Sequence, residues 1–387
     1  MVSPAREVAF EVLLAVERGG WAAELLLARS RGLESHNAGL ASEIVFGTLR
    51  YQAQLDFLIH QFSGRLAGRM DPEVRVALRI AVYQLRYLDR IPGHAAVNES
   101  VELVRKARKR SACGFVNAVL RKAGRQPVEW PNEATALSHP VWLLERWYSR
   151  YGAAAARAIA EANLRPPHAY IRASGALPPE LDVEATEMPG CFRLRKAEGG
   201  FVFPSSIRRQ DIGSQWVVPF LDLQPGVRFL DLCAAPGNKT AQALESEIRA
   251  LACDLHVSRL AALKSLRIPL VVLDGARPLP FRSLFDRILV DAPCSGTGTL
   301  ARNPEIKWRL QPSDLADLQR RQVLLLRSAI KYLAPRGRLV YSTCSLEREE
   351  NEDVVEMAIP GRPADFHQRI PGRDAGDGFF VTVIPSG

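Results

Sequence analysis

The chain has 387 residues, 47% hydrophobic and 24% charged, with 51 Lys plus Arg against 42 Asp plus Glu for a net charge of +9. That length leaves room for about two or three domains, and the composition is ordinary for a soluble globular protein. No apolar stretch reaches the length of a membrane span, and the opening MVSPAREVAFEVLLAVERGG, with Arg6, Glu7 and Glu11 inside it, reads as an amphipathic helix and not as a signal peptide. The expected compartment is the cytoplasm.

Residues 1–130 are predicted to be an all-helical domain. AREVAFEVLLAVERG places Val8, Val12, Leu13 and Val16 at helical spacing. DPEVRVALRIAVYQLRYL repeats the pattern, with Asp71 as N-cap and Pro72 in the first turn. HAAVNESVELVRKARK and GFVNAVLRKAG complete the set. A basic surplus favours an anionic partner, of which nucleic acid is the commonest. The run VRKARKR gathers Arg105, Lys106, Arg108, Lys109 and Arg110, with Arg121, Lys122 and Arg125 soon after. Such a run is ordinarily a solvated helix face; here it also suits a strip that contacts phosphates.

RQPVEWPNEATALSHP, with prolines at 127, 131 and 140, reads as a linker. Residues 141–205 are predicted to form a small α+β subdomain. Its helices lie in WLLERWYSRYGAAAARAIAEANL and its short strands in RPPHAYIRAS, GCFRLRK and GGFVFP. From 206 to 387 strands and helices alternate, which predicts a parallel sheet covered on both faces. PSDLADLQRRQVLLLRSAIKYLAPRG is its long helix, capped by Ser313 or Asp314, and GFFVTVIP is the last strand.

The six cysteines are at 113, 191, 233, 253, 294 and 344. None forms a CxxC pair and the seven histidines are scattered, so no metal site is expected. Without a secretory signal, neither is a disulfide framework. Cys113, Cys191 and Cys253 are assigned as small buried hydrophobes.

Ligands of open α/β sheets bind at the carboxyl ends of the strands. The predicted strands end at Asp231, Asp254, Asp274 and Asp291, the last just before Pro293 and Cys294, and a fifth ends at Thr343 and Cys344. One aspartate there could merely cap the next helix; four in succession are hard to explain that way. The loop LCAAPGNKT is neither GxxxxGK[ST] nor GxGxxG, which disfavours phosphate and dinucleotide ligands. Asp254 follows Gly237 by 17 positions, close to the distance at which an acid meets a ribose hydroxyl in nucleoside-binding folds. A nucleoside without phosphate, S-adenosylmethionine, fits best, with Asp274 placed to receive the adenine amino group.

A cysteine at the top of a sheet beside a helix N-terminus tends toward thiolate. A thiolate that adds to carbon 6 of a pyrimidine makes carbon 5 nucleophilic enough to attack a methyl sulfonium. A base must then remove the carbon 5 proton so that the thiol can leave. The bland alternative is two buried thiols facing the core, which their matched positions after two strands argue against.

DLCAAPGNKT, DAPCSGTGTLARNPEIKWR and YSTCSLEREENEDVV, with RRQDIGSQWVV, PSDLADLQRRQ and the closing DGFF, resemble the RNA cytosine-5 methyltransferases of the Nol1/Nop2/Sun (Fmu) family. VNESVELVRKA and GFVNAVLRK resemble the NusB antitermination fold, and the combination resembles the bacterial 16S ribosomal RNA enzymes of the B type. The fold this implies is multidomain: an all-α NusB-like N-terminal domain, a small α+β linker subdomain and a Rossmann-like α/β methyltransferase domain. The resemblance implies that Cys344 is the nucleophile and that Cys294 helps release the product. It implies that Asp291 holds the cytosine edge or protonates its ring nitrogen, and that Lys239 lines the catalytic pocket. Cys233, Ala234, Ala235, Pro236, Gly237 and Lys239, with Asp254, Asp274 and Asp291, would hold S-adenosylmethionine. Asn303, Pro304 and Lys307 would shape the RNA side. The family usually has Gly-Gly-Lys-Thr where this chain has Gly237-Asn238-Lys239-Thr240; were that position left-handed, asparagine would be the least costly replacement. The implied partner is 16S rRNA, naked or in an early small-subunit particle, met by a monomer with no metal and no membrane. Two alternatives stay open: transfer RNA as substrate, or a non-catalytic assembly factor that only docks on rRNA.

Overall fold

Pro4 follows Ser3 at the first helical position, where its fixed φ and missing N–H cost nothing, and a helix covers Pro4–Glu17. Further α-helices cover Ala22–Arg29, Ser35–Arg50, Gln52–Ser63, Pro72–Tyr87, Gly93–Lys106 and Cys113–Lys122. This is a computed structural model that describes residues 2–124, 126–195, 203–361 and 364–386. It divides into two units, Met1–Pro166 with Leu300–Arg309, and Pro167–Thr299 with Leu310–Gly387.

In the first unit the helix Pro72–Tyr87 is the centre of the bundle. Val76, Ala77, Leu78, Ile80, Ala81 and Val82 are at most 1% exposed, and Arg79 and Gln84 are buried among them. A helix buried all round must satisfy its polar groups internally. Arg79 donates to both Asp56 carboxylate oxygens at 2.7 Å, and Gln84 Oε1 accepts from Arg6 Nε at 2.7 Å. Gly47 lets the neighbouring helix approach: a Cβ there would sit 1.9 Å from the Tyr83 ring. Asp71 occupies the N-cap position without a capping bond; its carboxylate pairs with Lys109 at 2.8 Å.

The helices Val141–Tyr151 and Ala153–Leu164 belong to this first unit and not with the strands that follow. The proline-rich linker explains this. Ser138 Oγ accepts from Ala53 N at 3.0 Å, which ties the linker to the Gln52–Ser63 helix. His139 then meets the Trp147 ring edge-on at 5.5 Å and Asn163 Nδ2 at 3.3 Å, which brings the two later helices onto it. The expected grouping of 141–205 therefore divides after Pro166.

In the second unit β1 (Tyr170–Ala173), β2 (Val183–Ala185), β3 (Cys191–Leu194) and β4 (Ile207–Arg209) form an antiparallel sheet in the order β2-β3-β1-β4. Most of the strand expected in GGFVFP lies outside the described residues. The main sheet contains β5 (Arg228–Asp231), β6 (Arg249–Asp254), β7 (Leu270–Val272), β8 (Phe285–Asp291), β9 (Leu333–Thr343), β10 (Asp365–Arg369) and β11 (Phe379–Pro385), in the order β10-β11-β9-β8-β5-β6-β7. The run β9-β8-β5-β6-β7 is parallel, and β11 and β10 add antiparallel at one edge. This is a Rossmann-like sheet. Its central strands are apolar on both faces, as parallel strands between helices must be: Ile288, Leu289 and Val290 of β8 and Leu339, Val340 and Tyr341 of β9 are 0% exposed.

The long helix spans Pro312–Ile330. Its cap is Gln311, not Ser313 or Asp314. Gln311 accepts from the third helical residue's backbone, and Asp314 reaches back to Gln311 N at 2.8 Å, a reciprocal capping box.

Candidate active site

β8 and β9 run in parallel with Asp291 opposite Ser342, so the two chains leave the sheet side by side. Ala292 N donates to Ser342 O at 2.8 Å and keeps them together past the last strand residues. Beyond that point Gly298 N donates to Cys344 O at 2.9 Å, and Gly378 N to Gly298 O at 2.7 Å. Only glycine fits there, because a Cβ on Gly298 would lie 2.4 Å from Gly378 O. The outcome is that Cys294 Sγ and Cys344 Sγ stand 3.4 Å apart.

At Cys294 the surroundings work against the expected thiolate. Its hydrogen bond to Cys344, its burial and the nearby Glu350 charge push the thiol well above its usual value. Either sulfur can donate in the S–H···S contact between them.

Asp291 is held from two sides. Lys239 Nζ donates to its Oδ2 at 2.7 Å and Ser342 Oγ to its Oδ1 at 2.8 Å. The Lys239 ammonium also lies 4.7 Å from the Phe379 ring centroid, a cation–π contact that fixes the side chain as it leaves its helix. Lys239, Asp291, Cys294 and Cys344 thus come from three separate stretches at the carboxyl edge of β5, β8 and β9.

The loop after β5 reaches its helix, Asn238–Ala243, through a cis Ala235–Pro236 peptide and through Gly237. Gly237 is the left-handed residue, at φ +106°, and a Cβ there would sit 2.7 Å from Leu263. Asn238 is the first helical residue, so asparagine is no backbone burden there, and its Nδ2 donates to Arg209 O at 3.3 Å. Asp254 is 5% exposed and accepts from Ala235 N at 3.2 Å and His256 N at 3.0 Å. Each oxygen keeps a further lone pair, so this carboxylate both shapes the loop and can still receive ribose hydroxyls. The small side chains of Ala234 and Ala235 leave the loop backbone approachable. These features fit a nucleoside-bearing cosubstrate.

Three strand-end groups behave otherwise. Asp231 accepts from Thr240 Oγ1 at 2.6 Å while its Oδ1 is buried without a partner, and desolvation raises its pKa to about 7. It secures the loop's helix and does not face a ligand. Asp274 lies beyond β7, accepts from Ala276 N at 3.1 Å and pairs with Arg277 at 3.5 Å. The Cys233 side chain packs on the apolar core, and burial pushes its thiol well up. Cys191 and Cys253 are buried, and Cys113 is half-buried with its thiol donating to Val101 O at 3.7 Å.

The expected RNA contacts divide sharply. Arg105 pairs with Glu102, Lys106 with Glu7 at 2.9 Å and Lys109 with Asp71 at 2.8 Å. Arg108 and Arg110 are exposed; among the described residues neither has an ion pair. Arg125 lies outside the described residues. Lys307 is a correction. It is 1% exposed and its Nζ donates to Arg50 O at 2.9 Å, with burial pushing the ammonium well below its usual value. Residues 300–309 pack inside the first unit: Trp308 Nε1 donates to Leu49 O at 2.7 Å, and Arg50 donates to Ala301 O at 2.9 Å. Pro304 is buried with them and Asn303 is half-buried. Lys307 serves this packing.

Sequence reasoning passed over Ser342, Phe379, Gln322 and Glu350. Glu350 is 0% exposed and accepts from Ser295, Ser345 and Gln322. Its place in the acid-rich run EREENED gave it the look of a solvated helix start.

The model of the family described as 16S rRNA methyltransferase RsmB/F matches residues 218–384, and that of the NusB family matches residues 3–125. The probable ribosomal RNA small subunit methyltransferase B of Bacillus subtilis (strain 168) is 33% identical over 400 residues, covering 93% of this chain and 89% of its own. Ribosomal RNA small subunit methyltransferase B of Klebsiella pneumoniae (strain 342) is 32% identical over 414 residues, covering 95% of each. The crystal structure of PH0851 matches with a TM-score of 0.82 over 99% of each chain at 22% identity, a likeness of fold.

Proposed function

The chain belongs to the ribosomal RNA small subunit methyltransferase B family, and on that premise we propose that it methylates carbon 5 of a cytosine in 16S rRNA through a covalent bond from Cys344 to carbon 6. S-adenosylmethionine supplies the methyl group on its sulfonium. The observation that carries this reading is the pair of sulfurs 3.4 Å apart beside the Lys239–Asp291 pair.

The surroundings of Cys294 support Cys344 as the attacking group. The contact with Cys344, burial and the Glu350 charge push the Cys294 thiol well up, which disfavours it as the attacking thiolate. Addition of the Cys344 sulfur to carbon 6 moves the ring's electron pair to carbon 5, which attacks the methyl. Asp291, oriented by Lys239 and Ser342, meets the cytosine edge and keeps the ring in register with the sulfur. Loss of the carbon 5 proton then restores the double bond and expels the Cys344 sulfur. Cys294 is the donor placed to meet that departing sulfur. The ring must leave its stack to reach the pocket, which costs least in loops and bulges.

The test is to incubate the protein and methyl-labelled S-adenosylmethionine with 16S rRNA transcript, early small-subunit particles and transfer RNA, then digest the RNA to nucleosides. Label in 5-methylcytidine from 16S rRNA is expected. Label in another nucleoside, or in transfer RNA alone, would contradict the proposal.

RNA affinity gives a second expected result. Each phosphate contact adds about 0.9 to the slope of log affinity against log salt. Replacing Arg108 and Arg110 together with alanine should therefore lower that slope by about 1 to 2. Lys307→Ala should leave it unchanged. Filter binding across a salt series checks both, and an equal drop for Lys307→Ala would show that the lysine does meet phosphate.

A further inference from the structure

Each of the paired cysteines is followed by a serine, and both serines turn to one interior carboxylate. Glu350 Oε1 accepts from Ser295 N at 2.8 Å and from Gln322 Nε2 at 2.9 Å. Its Oε2 accepts from Ser345 Oγ at 2.5 Å and from Ser295 Oγ. A carboxylate offers about four lone-pair directions, and these four donors use them. A buried charge is tolerated only when paired or bonded in this way, so the group is fully committed to the two loops and has no capacity left for a substrate.

The bonds are distributed unequally. Two come from Ser295, directly after Cys294. A third comes from Gln322, whose amide also donates to Pro293 O at 2.9 Å, directly before Cys294. The Cys294 peptide is therefore gripped on both flanks through one carboxylate. The Cys344 loop has independent support: Asn351 Nδ2 donates to Ser345 O at 3.0 Å, Thr343 Oγ1 bonds Asn351 Oδ1 at 2.5 Å, and Leu346 N donates to Thr297 Oγ1 at 2.9 Å. Glu350 is itself anchored, its carbonyl accepting from Tyr341 OH at 2.6 Å. Losing the carboxylate frees Cys294 while Cys344 stays in place.

We propose that Glu350 is the positioning residue for Cys294, and that it acts on release of the methylated base and not on its capture. The inference rests on the covalent reading given above. In the release step a water molecule takes the carbon 5 proton, the electron pair of that C–H bond rebuilds the C5–C6 double bond, and the bond from carbon 6 to the Cys344 sulfur breaks. The pair of electrons leaves with the sulfur, which accepts a hydrogen bond from the Cys294 thiol. A displaced Cys294 cannot supply that bond, so the protein–RNA adduct persists.

The experiment mixes the full chain, Glu350→Ala, Glu350→Gln and Cys294→Ala separately with S-adenosylmethionine and 16S rRNA transcript and compares denaturing gels with steady-state kinetics. Glu350→Ala should lower kcat by about 10²-fold, the scale of a 1 Å misplacement, lower the KM for RNA with it so that kcat/KM, which reports capture, is unchanged, and accumulate a slow-migrating adduct. Glu350→Gln should recover much of the turnover and lose the adduct, since its amide can meet the same two hydroxyls, which then accept. If Glu350→Ala does not fold, the Ser295→Ala, Ser345→Ala double variant carries the test, with the same adduct at lower yield. Normal turnover in the alanine variant, or a fall in turnover with no adduct, would overturn the positioning role while Cys294→Ala still shows its band. No band from Cys294→Ala would overturn the covalent reading and this inference with it.

Discussion

Replacing Cys344 with alanine is expected to lower methyl transfer by at least about 10⁴-fold, the scale of removing an attacking nucleophile. Carbon 5 of cytosine is too poor a nucleophile to take a methyl group until a sulfur has added at carbon 6. Among the described residues no other group is suited to substitute: the contact with Cys344, burial and Glu350 push the Cys294 thiol well above its usual value, and Lys239 is engaged with Asp291 at 2.7 Å. The substitution removes one atom at a half-buried position, so folding and RNA affinity should be retained. Single-turnover methyl transfer and filter binding on the same preparation check this. Activity within about 10-fold of the natural chain would exclude Cys344 as nucleophile, since a tenfold change is only about 1.4 kcal/mol of barrier.

The Cys294→Ala chain is expected to fail at the other end of the reaction. Cys344 remains to add to carbon 6, and the methyl group still transfers. Expulsion of the sulfur then lacks the thiol that stood 3.4 Å away. The protein should become linked to RNA in near-stoichiometric amounts, seen as a slow band on a denaturing gel that depends on S-adenosylmethionine. Turnover should stop after about one methyl per protein molecule, as for any covalent intermediate that cannot be resolved. A variant that turns over freely and leaves no band would remove Cys294 from the mechanism.

The parts of this molecule set by short-range rules were legible. β8 and β9 are runs of consecutive apolar residues because both faces are covered, so the strand ends, and with them Asp291, Cys294 and Cys344, could be located from sequence. The helices Pro4–Glu17, Pro72–Tyr87, Gly93–Lys106 and Cys113–Lys122 follow from 3.6-residue periodicity in the same way, while the three between Ala22 and Ser63 were not read individually. What escaped depends on distant parts of the chain. Lys307 sits in a run that continues from the catalytic loop, and nothing in its spacing says that residues 300–309 join the first unit. Asp231 looks identical to Asp254 as a strand-end acid, yet one is sealed against Thr240 and the other shapes the loop. β10 was missed because DFHQR lies at an edge with mostly exposed residues and carries no alternation. The cap at Gln311 was missed because glutamine is not a common N-cap, and its reciprocal bond with Asp314 decides the matter.

The most direct measurement of the central claim is to digest the Cys294→Ala adduct with protease and nuclease and sequence the nucleotide-bearing peptide by mass spectrometry. The account predicts a methylated cytidine nucleotide attached at Cys344, within the YSTCSLEREENEDVV stretch. A nucleotide attached at any other residue, or an adduct whose base carries no methyl group, would contradict it.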